Sequence, residues 1–169
     1  ITTRRYTLSL HDALPICQIR VIQEDNNGWI WVGTSAGVYI FNPDSLMNDP
    51  DNYITYNYNN GKLRSNEIKC IHQDSKGRIW VGTSGKGFSM CMPEGDYRNL
   101  TFEHYDGSDG LVNSMVQSIV EDREGKLWVA TEYGISRFDP DTHAFENFFF
   151  SAYALGNVYS ENSGCVSKD

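Results

Sequence analysis

Three aspartates, Asp25, Asp74 and Asp122, are the first residues in this 169-residue chain whose type and placement could do chemistry. Paired carboxylates hydrolyse glycosidic bonds by acid–base or nucleophilic catalysis. Their surroundings argue for a different role. Each opens the same string, Asp-x-x-Gly-x-[Ile/Leu]-Trp-Val-[Gly/Ala]-Thr, written at 25–34, 74–83 and 122–131. A catalytic pair is placed once, whereas a set that recurs with spacings of 49 and then 48 residues follows the architecture. The three carboxylates are expected to cap a turn by accepting backbone N–H bonds. No catalytic residue is expected, and Asp49, Asp51, Asp106 and Asp109 are expected to lie solvated in connections.

Other chemistries find no support. His11, His72, His104 and His143 each stand without a paired nucleophile or a phospho-acceptor motif, and His72 occupies a position held by Gln23 and Val120 in the other copies, so a partly buried structural role is expected. Cys17, Cys70, Cys91 and Cys165 show no metal-ligand spacing. Cys70, aligned with Val21 and Ser118, reads as a small buried filler. Gly85-Lys86-Gly87 sits in a hairpin with no following helix and is no phosphate loop. Neither metal nor cofactor is expected. A net charge of −8 with no cluster of Lys and Arg argues against nucleic acid and anionic membrane surfaces as partners. No apolar run approaches the roughly 20 residues of a membrane span, so direct membrane contact is not expected.

The elements that would hold these residues can be read from the copies. A stretch rich in β-branched residues precedes each Asp (Ile19 to Ile22, Ile68 to Ile71, Val116 to Val120) and reads as a strand. Asp25, Asp74 and Asp122 with Gly28, Gly77 and Gly125 predict a tight hairpin after it. Trp31, Trp80 and Trp128 then lead a second strand ending at Thr34, Thr83 and Thr131, in which large and small residues alternate as in a sheet packed on both sides. These tryptophans are expected to lie at a seam between neighbouring sheets. A further Gly-bearing hairpin leads to a third strand (Val38 to Phe41, Phe88 to Met92, Ile135 to Phe138), stopped by Pro43, Pro93 or Pro140, which lack a ladder N–H. Fourth strands are expected at Tyr53 to Asn57, Leu100 to Tyr105 and Ala144 to Phe148.

Four antiparallel strands per period of 40 to 50 residues or so predict an all-β chain, a partial β-propeller of about three four-stranded blades. The expected blades are 17–60, 61–109 and 110–158, the last ending irregularly, with 159–169 starting a further, truncated one. Propellers close with typically four to eight blades, so the remaining blades of a longer parent are expected partners. Residues 1–16 do not fit the repeat and resemble translated adapter read-through; an irregular native arm is the alternative.

The pattern resembles the two-component regulator propeller repeat over about residues 17 to 158, with Ala130 replacing the Gly of Gly33 and Gly82. The resemblance implies an extracytoplasmic, periplasmic sensor region of a hybrid histidine kinase that recognises an oligosaccharide or similar solute and signals to a kinase outside this chain, in a homodimeric parent. Alternatives keep the propeller but give it another output, a diguanylate cyclase or a transcription regulator, or make it a secreted lyase or hydrolase. Sialidase-type Asp boxes look similar, but they are one residue shorter between Asp and Gly and are structural there too. Sugar rings stack on aromatic faces, which makes Tyr53, Tyr56, Tyr58 and Tyr133 candidates for a ligand site. Trp29 stands out because Arg78 and Lys126 hold its position in the other copies, and Trp29 and Tyr133 are the ligand-binding candidates kept.

Overall fold

The computed structural model describes residues 17–149. The expectations for 1–16 and for 150–169, including the truncated blade, lie outside the described residues. Strands β1 (Ile19–Glu24), β2 (Ile30–Thr34), β3 (Gly37–Phe41) and β4 (Ile54–Tyr56) form one antiparallel sheet in that order. β5 (Ile68–Gln73), β6 (Ile79–Thr83), β7 (Phe88–Cys91) and β8 (Glu103–Tyr105) form a second. β9 (Val116–Glu121), β10 (Leu127–Thr131), β11 (Gly134–Asp139) and β12 (Ala144–Phe148) form the third. The fold is thus all-β, in three four-stranded meanders, with one short helix.

That helix, α1 (Pro43–Asn48), lies in the connection between β3 and β4. Asn42 caps it, its side chain accepting from the backbone N–H groups of Asp44 and Ser45, and Pro43 occupies the first turn, where its missing N–H costs nothing. The fourth strand of the second sheet is shorter than expected. Leu100 donates its N–H to the hydroxyl of Tyr56 in the first sheet, not to a ladder partner, so pairing begins only at Glu103.

The sheets meet along their first and second strands, β1 with β5 and β5 with β9, β2 with β5 and β6 with β9. Each junction holds its own core. Trp31, Val38, Ile40 and Tyr56 of the first sheet pack with Ile68, Ile71 and Val81 of the second and with Tyr97 and Leu100 of the connection between β7 and β8. Cys70, Trp80, Phe88 and Tyr105 of the second pack with Val116, Ile119, Val129 and Phe138 of the third. Apolar area removed between sheets therefore stabilises the stack, with a fully buried Ile or Val contributing about 1.5–3 kcal/mol.

The first strand of every sheet carries the same irregularity. Register shifts between Ile19 and Val21, Ile68 and Cys70, and Val116 and Ser118 leave Arg20, Lys69 and Gln117 as the extra residues of three β-bulges. The bulge re-aims the strand just where it meets the next sheet.

Candidate functional site

Each repeat builds one polar knot. The Oδ1 atoms of Asp25, Asp74 and Asp122 accept two backbone N–H bonds across the turn: from Asn27 and Trp29, from Lys76 and Arg78, and from Glu124 and Lys126, at 2.9–3.0 Å. Gly28, Gly77 and Gly125 close the turn at φ of 77°, 84° and 75°, a left-handed conformation that glycine adopts without steric cost. The Oδ2 atoms accept the indole N–H of Trp31, Trp80 and Trp128, each at 2.8 Å. Turn capping by Asp was readable from the sequence, whereas the bond that ties Asp to Trp was not.

The knot has one further polar partner, and that partner differs in every copy. In the second, Arg78 Nε meets Asp74 Oδ2 at 2.5 Å and the guanidinium lies over the Trp80 ring. In the third, Arg137 Nε lies 3.5 Å from Asp122 Oδ2. In the first, Trp29 stands where Arg78 does and has no charge to offer. The hydroxyl of Tyr97, from the β7–β8 connection of the following blade, donates to Asp25 Oδ2 at 2.6 Å instead, and the Tyr97 ring stacks on Trp29 at 4.2 Å. Burial, and then the bond to Asp25, pushes the Tyr97 phenol well above its usual value, which keeps it a donor.

Thr34, Thr83 and Thr131 close the second hairpin from inside. Their hydroxyls donate to the carbonyls of Gly37, Gly87 and Gly134 at 2.8–2.9 Å, and all three residues are buried.

The tryptophans occupy the seams unequally. Trp31 is 0% exposed and contacts Tyr97 of the connection between β7 and β8, and Trp80 is 1% exposed and meets Phe138 of the third sheet edge to face. Trp128 is only half-buried, stacked on Phe148 of its own sheet. The opposite end of the stack is bare as well. Ile19 and Ile22 are 64% and 63% exposed, while their counterparts Ile68 and Ile71 are 0% and 6% and Val116 and Ile119 are 0% and 5%.

Acceptors also cross the seams. The Gln73 side-chain oxygen takes the backbone N–H of Asn26 at 2.8 Å, and Glu121 takes the N–H and hydroxyl of Ser75, both at 2.7 Å. Each serves the hairpin of the sheet before its own.

The ligand candidates scatter. Trp29 is half-buried with one face on Tyr97, and Tyr133 is 57% exposed in the hairpin between β10 and β11. Tyr58 is 63% exposed, Tyr53 leans on Tyr39, and Tyr56 is buried with its hydroxyl donating to the Tyr97 carbonyl. The structure does not gather them into one cleft. His72 is half-buried, its Nε2 without a partner and its pKa lowered chiefly by burial. Among the described residues no group of three or more His, Cys, Asp or Glu is placed to hold a metal, and no helix is long and apolar enough to cross a membrane.

Residues 13–36, 62–85 and 110–133 match the family described as the two component regulator propeller. Among solved structures, 84% of the chain superposes at 28% identity and a TM-score of 0.66 on the extracellular domain of a B. thetaiotaomicron protein assigned as a hybrid two component system. A second extracellular domain from the same organism matches over 78% of the chain at 23% identity and a TM-score of 0.64. PorZ, a surface component of the Porphyromonas gingivalis type-IX secretion system, matches over 83% at 18% identity and a TM-score of 0.57. The last two are likenesses of fold alone. The chain spans 18% of the first two structures and 22% of the third. No curated protein matches the chain. Each of the three blades is thus built on a copy of the two-component regulator propeller repeat.

Proposed function

We propose that this chain is three blades of the periplasmic sensor propeller of a hybrid histidine kinase, a binding module that recognises a glycan-derived or similar solute and passes the signal to a kinase outside these residues. The remaining blades of the parent complete the ring, and the parent works as a dimer.

One observation carries the reading. The stack has two open ends, with Ile19 and Ile22 more than 60% exposed at one while their counterparts inside are at most 6% exposed. A surface of that kind is a blade face awaiting a neighbour. The extracellular placement of the B. thetaiotaomicron domain that the chain resembles supports the periplasmic part of the proposal. The polar knots are occupied by structural bonds, which supports recognition over catalysis.

Two measurements test it. Ile22→Asp in the intact protein should lower the unfolding midpoint, because it puts a charge in a seam; an unchanged midpoint would reject the larger ring. Titrating the intact sensor region with a panel of oligosaccharides, by calorimetry, should give saturable binding to one structural class, and the same class should change kinase autophosphorylation. Saturable binding with no response of the kinase rejects the signalling role, and no binding across the panel rejects the glycan.

A further inference from the structure

Both inner seams are made the same way, by a branched side chain and an acceptor that the later blade lends to the earlier one. Ile68 and Val116, six residues before Asp74 and Asp122, press on Gly33 and Gly82 of the blade before: a Cβ on either glycine would lie 2.7 Å from Ile68 Cγ2 or from Val116 Cγ1. Carbon atoms do not approach that closely, so the earlier strand must carry glycine there. Gln73 and Glu121, one residue before those aspartates, accept the backbone N–H of Asn26 and of Ser75 in the earlier turn at 2.8 and 2.7 Å. In the second seam the residue after the proline joins them, with Asp141 bonding Lys76 Nζ at 2.7 Å.

The first blade carries the same set, unused. Ile19 holds the place of Ile68 and Val116, Glu24 that of Gln73 and Glu121, and Asp44, after Pro43, that of Asp141 after Pro140. All three are exposed, Ile19 at 64%. Among the described residues no group donates to the side-chain carboxylate of Glu24 or of Asp44. A hydrophobe, an acceptor and a negative charge thus stand on one face, each matched by a residue that is spent on a neighbouring blade in another copy of the repeat.

We propose that this face is a docking surface for a blade of defined chemistry: glycine at the place of Gly33 and Gly82, a turn N–H after its aspartate for Glu24, and Lys or Arg at the place of Lys76 for Asp44. This rests on the reading of a longer ring and adds which neighbour the ring admits. The third blade of a second copy is not that neighbour. Ala130 pairs with Ser118 as Gly33 pairs with Val21 and Gly82 with Cys70, so its methyl would meet Ile19 where no Cβ fits. Glu124 stands at the place of Lys76 and would set a carboxylate against Asp44. Copies therefore do not join end to end through these two blades, a contact that need not close and can run on into filaments.

The test is made in the intact protein. Glu24→Leu, which strands the neighbour's N–H, should lower the unfolding midpoint by about 2–4 °C, and Asp44→Lys should lower it as well. Glu24→Gln, which keeps an acceptor as Gln73 does, should leave it unchanged. Equal midpoints for Glu24→Leu and Glu24→Gln overturn the docking chemistry. Ile19→Cys protein mixed with Ala130→Cys protein under oxidising conditions should give no disulfide between copies, read by mass spectrometry of peptides; such a disulfide puts a second copy on the face and overturns the choice of partner. A Glu24→Leu protein as stable as the unaltered one beside a destabilised Ile22→Asp rejects the docking chemistry and leaves the ring, whereas indifference to both changes rejects the ring itself.

Discussion

The indole N–H of Trp80 donates to Oδ2 of Asp74 at 2.8 Å while Oδ1 of the same carboxylate holds the backbone N–H groups of Lys76 and Arg78. One aspartate thereby fixes both the turn and the aromatic ring that crosses to Phe138 in the next blade. With Asp74 at 2% and Trp80 at 1% exposure, neither group has water to fall back on.

Removing either side of that bond should be costly and the two losses should overlap. Asp74→Ala strands three N–H groups and the Arg78 charge, for about 3–5 kcal/mol, and Trp80→Ala opens a cavity worth about 3–5 kcal/mol. The double variant should cost less than the sum, because each single change already breaks the shared bond. Denaturant unfolding of the four proteins checks this, and strictly additive losses would show that the bond carries no coupling.

Tyr97 should be replaceable by an arginine at the place it serves. Tyr97→Phe removes the donor to Asp25 and the acceptor for Asn27 Nδ2, at about 1–3 kcal/mol for the groups left unpaired. Adding Trp29→Arg recreates the Arg78 arrangement of the second blade and should restore part of the loss. A Tyr97→Phe protein as stable as the parent would rule out the proposed division of labour.

Thiol chemistry should separate the buried cysteines from the bulk. Burial pushes the Cys70 thiol up to about 12, and burial with the nearby Asp25 raises Cys91 as well. A thiol held neutral and covered does not react as a thiolate. At pH 8, iodoacetamide should leave Cys70 and Cys91 unmodified in the native protein and label both in denaturant, as read by mass spectrometry of peptides. Rapid native labelling of Cys70 would contradict the second seam.

Acid should weaken the fold through His72. Desolvation lowers its folded pKa, against the opposing pull of Glu121 and Asp74, so the unfolded chain binds the proton first as pH falls through about 6.5. Stability is therefore unaffected by this group above that range and is lost from there down to the lower folded value. His104, also lowered by burial and by Arg64, acts in the same sense. Unfolding midpoints at pH 7.5 and 5.5 should differ less in His72→Gln, which takes the residue of the first blade, than in the unaltered protein. An unchanged difference would assign the pH effect elsewhere.

What the sequence disclosed was whatever is local and repeated. Asp25 to Thr34 carries its own turn, strand and small-residue signals within ten positions, and three copies make the blade legible. Tyr97 reaches Asp25 across 72 residues, and no local pattern marks a tyrosine in a connection as the donor for another blade. Trp29 stood out as a departure, and the structure gives the departure a packing partner. Helix α1 does leave a signal, Asn42 as cap, Pro43 in the first turn and Asp44 beside it, but a proline after an apolar run equally marks the end of a strand. Leu100 reads in the sequence as the start of an outer strand, whereas its N–H is spent on Tyr56.

The ties that hold the aspartate hairpins run one way. Gln73 and Tyr97 hold the hairpin of the blade before them, as do Glu121 and Asp141, the last through Lys76 at 2.7 Å. Damage to the molecule is therefore asymmetric: melting a later blade releases the turn of its predecessor, while melting an earlier one leaves its successor's turn still clasped. Loss of order propagates toward the amino terminus.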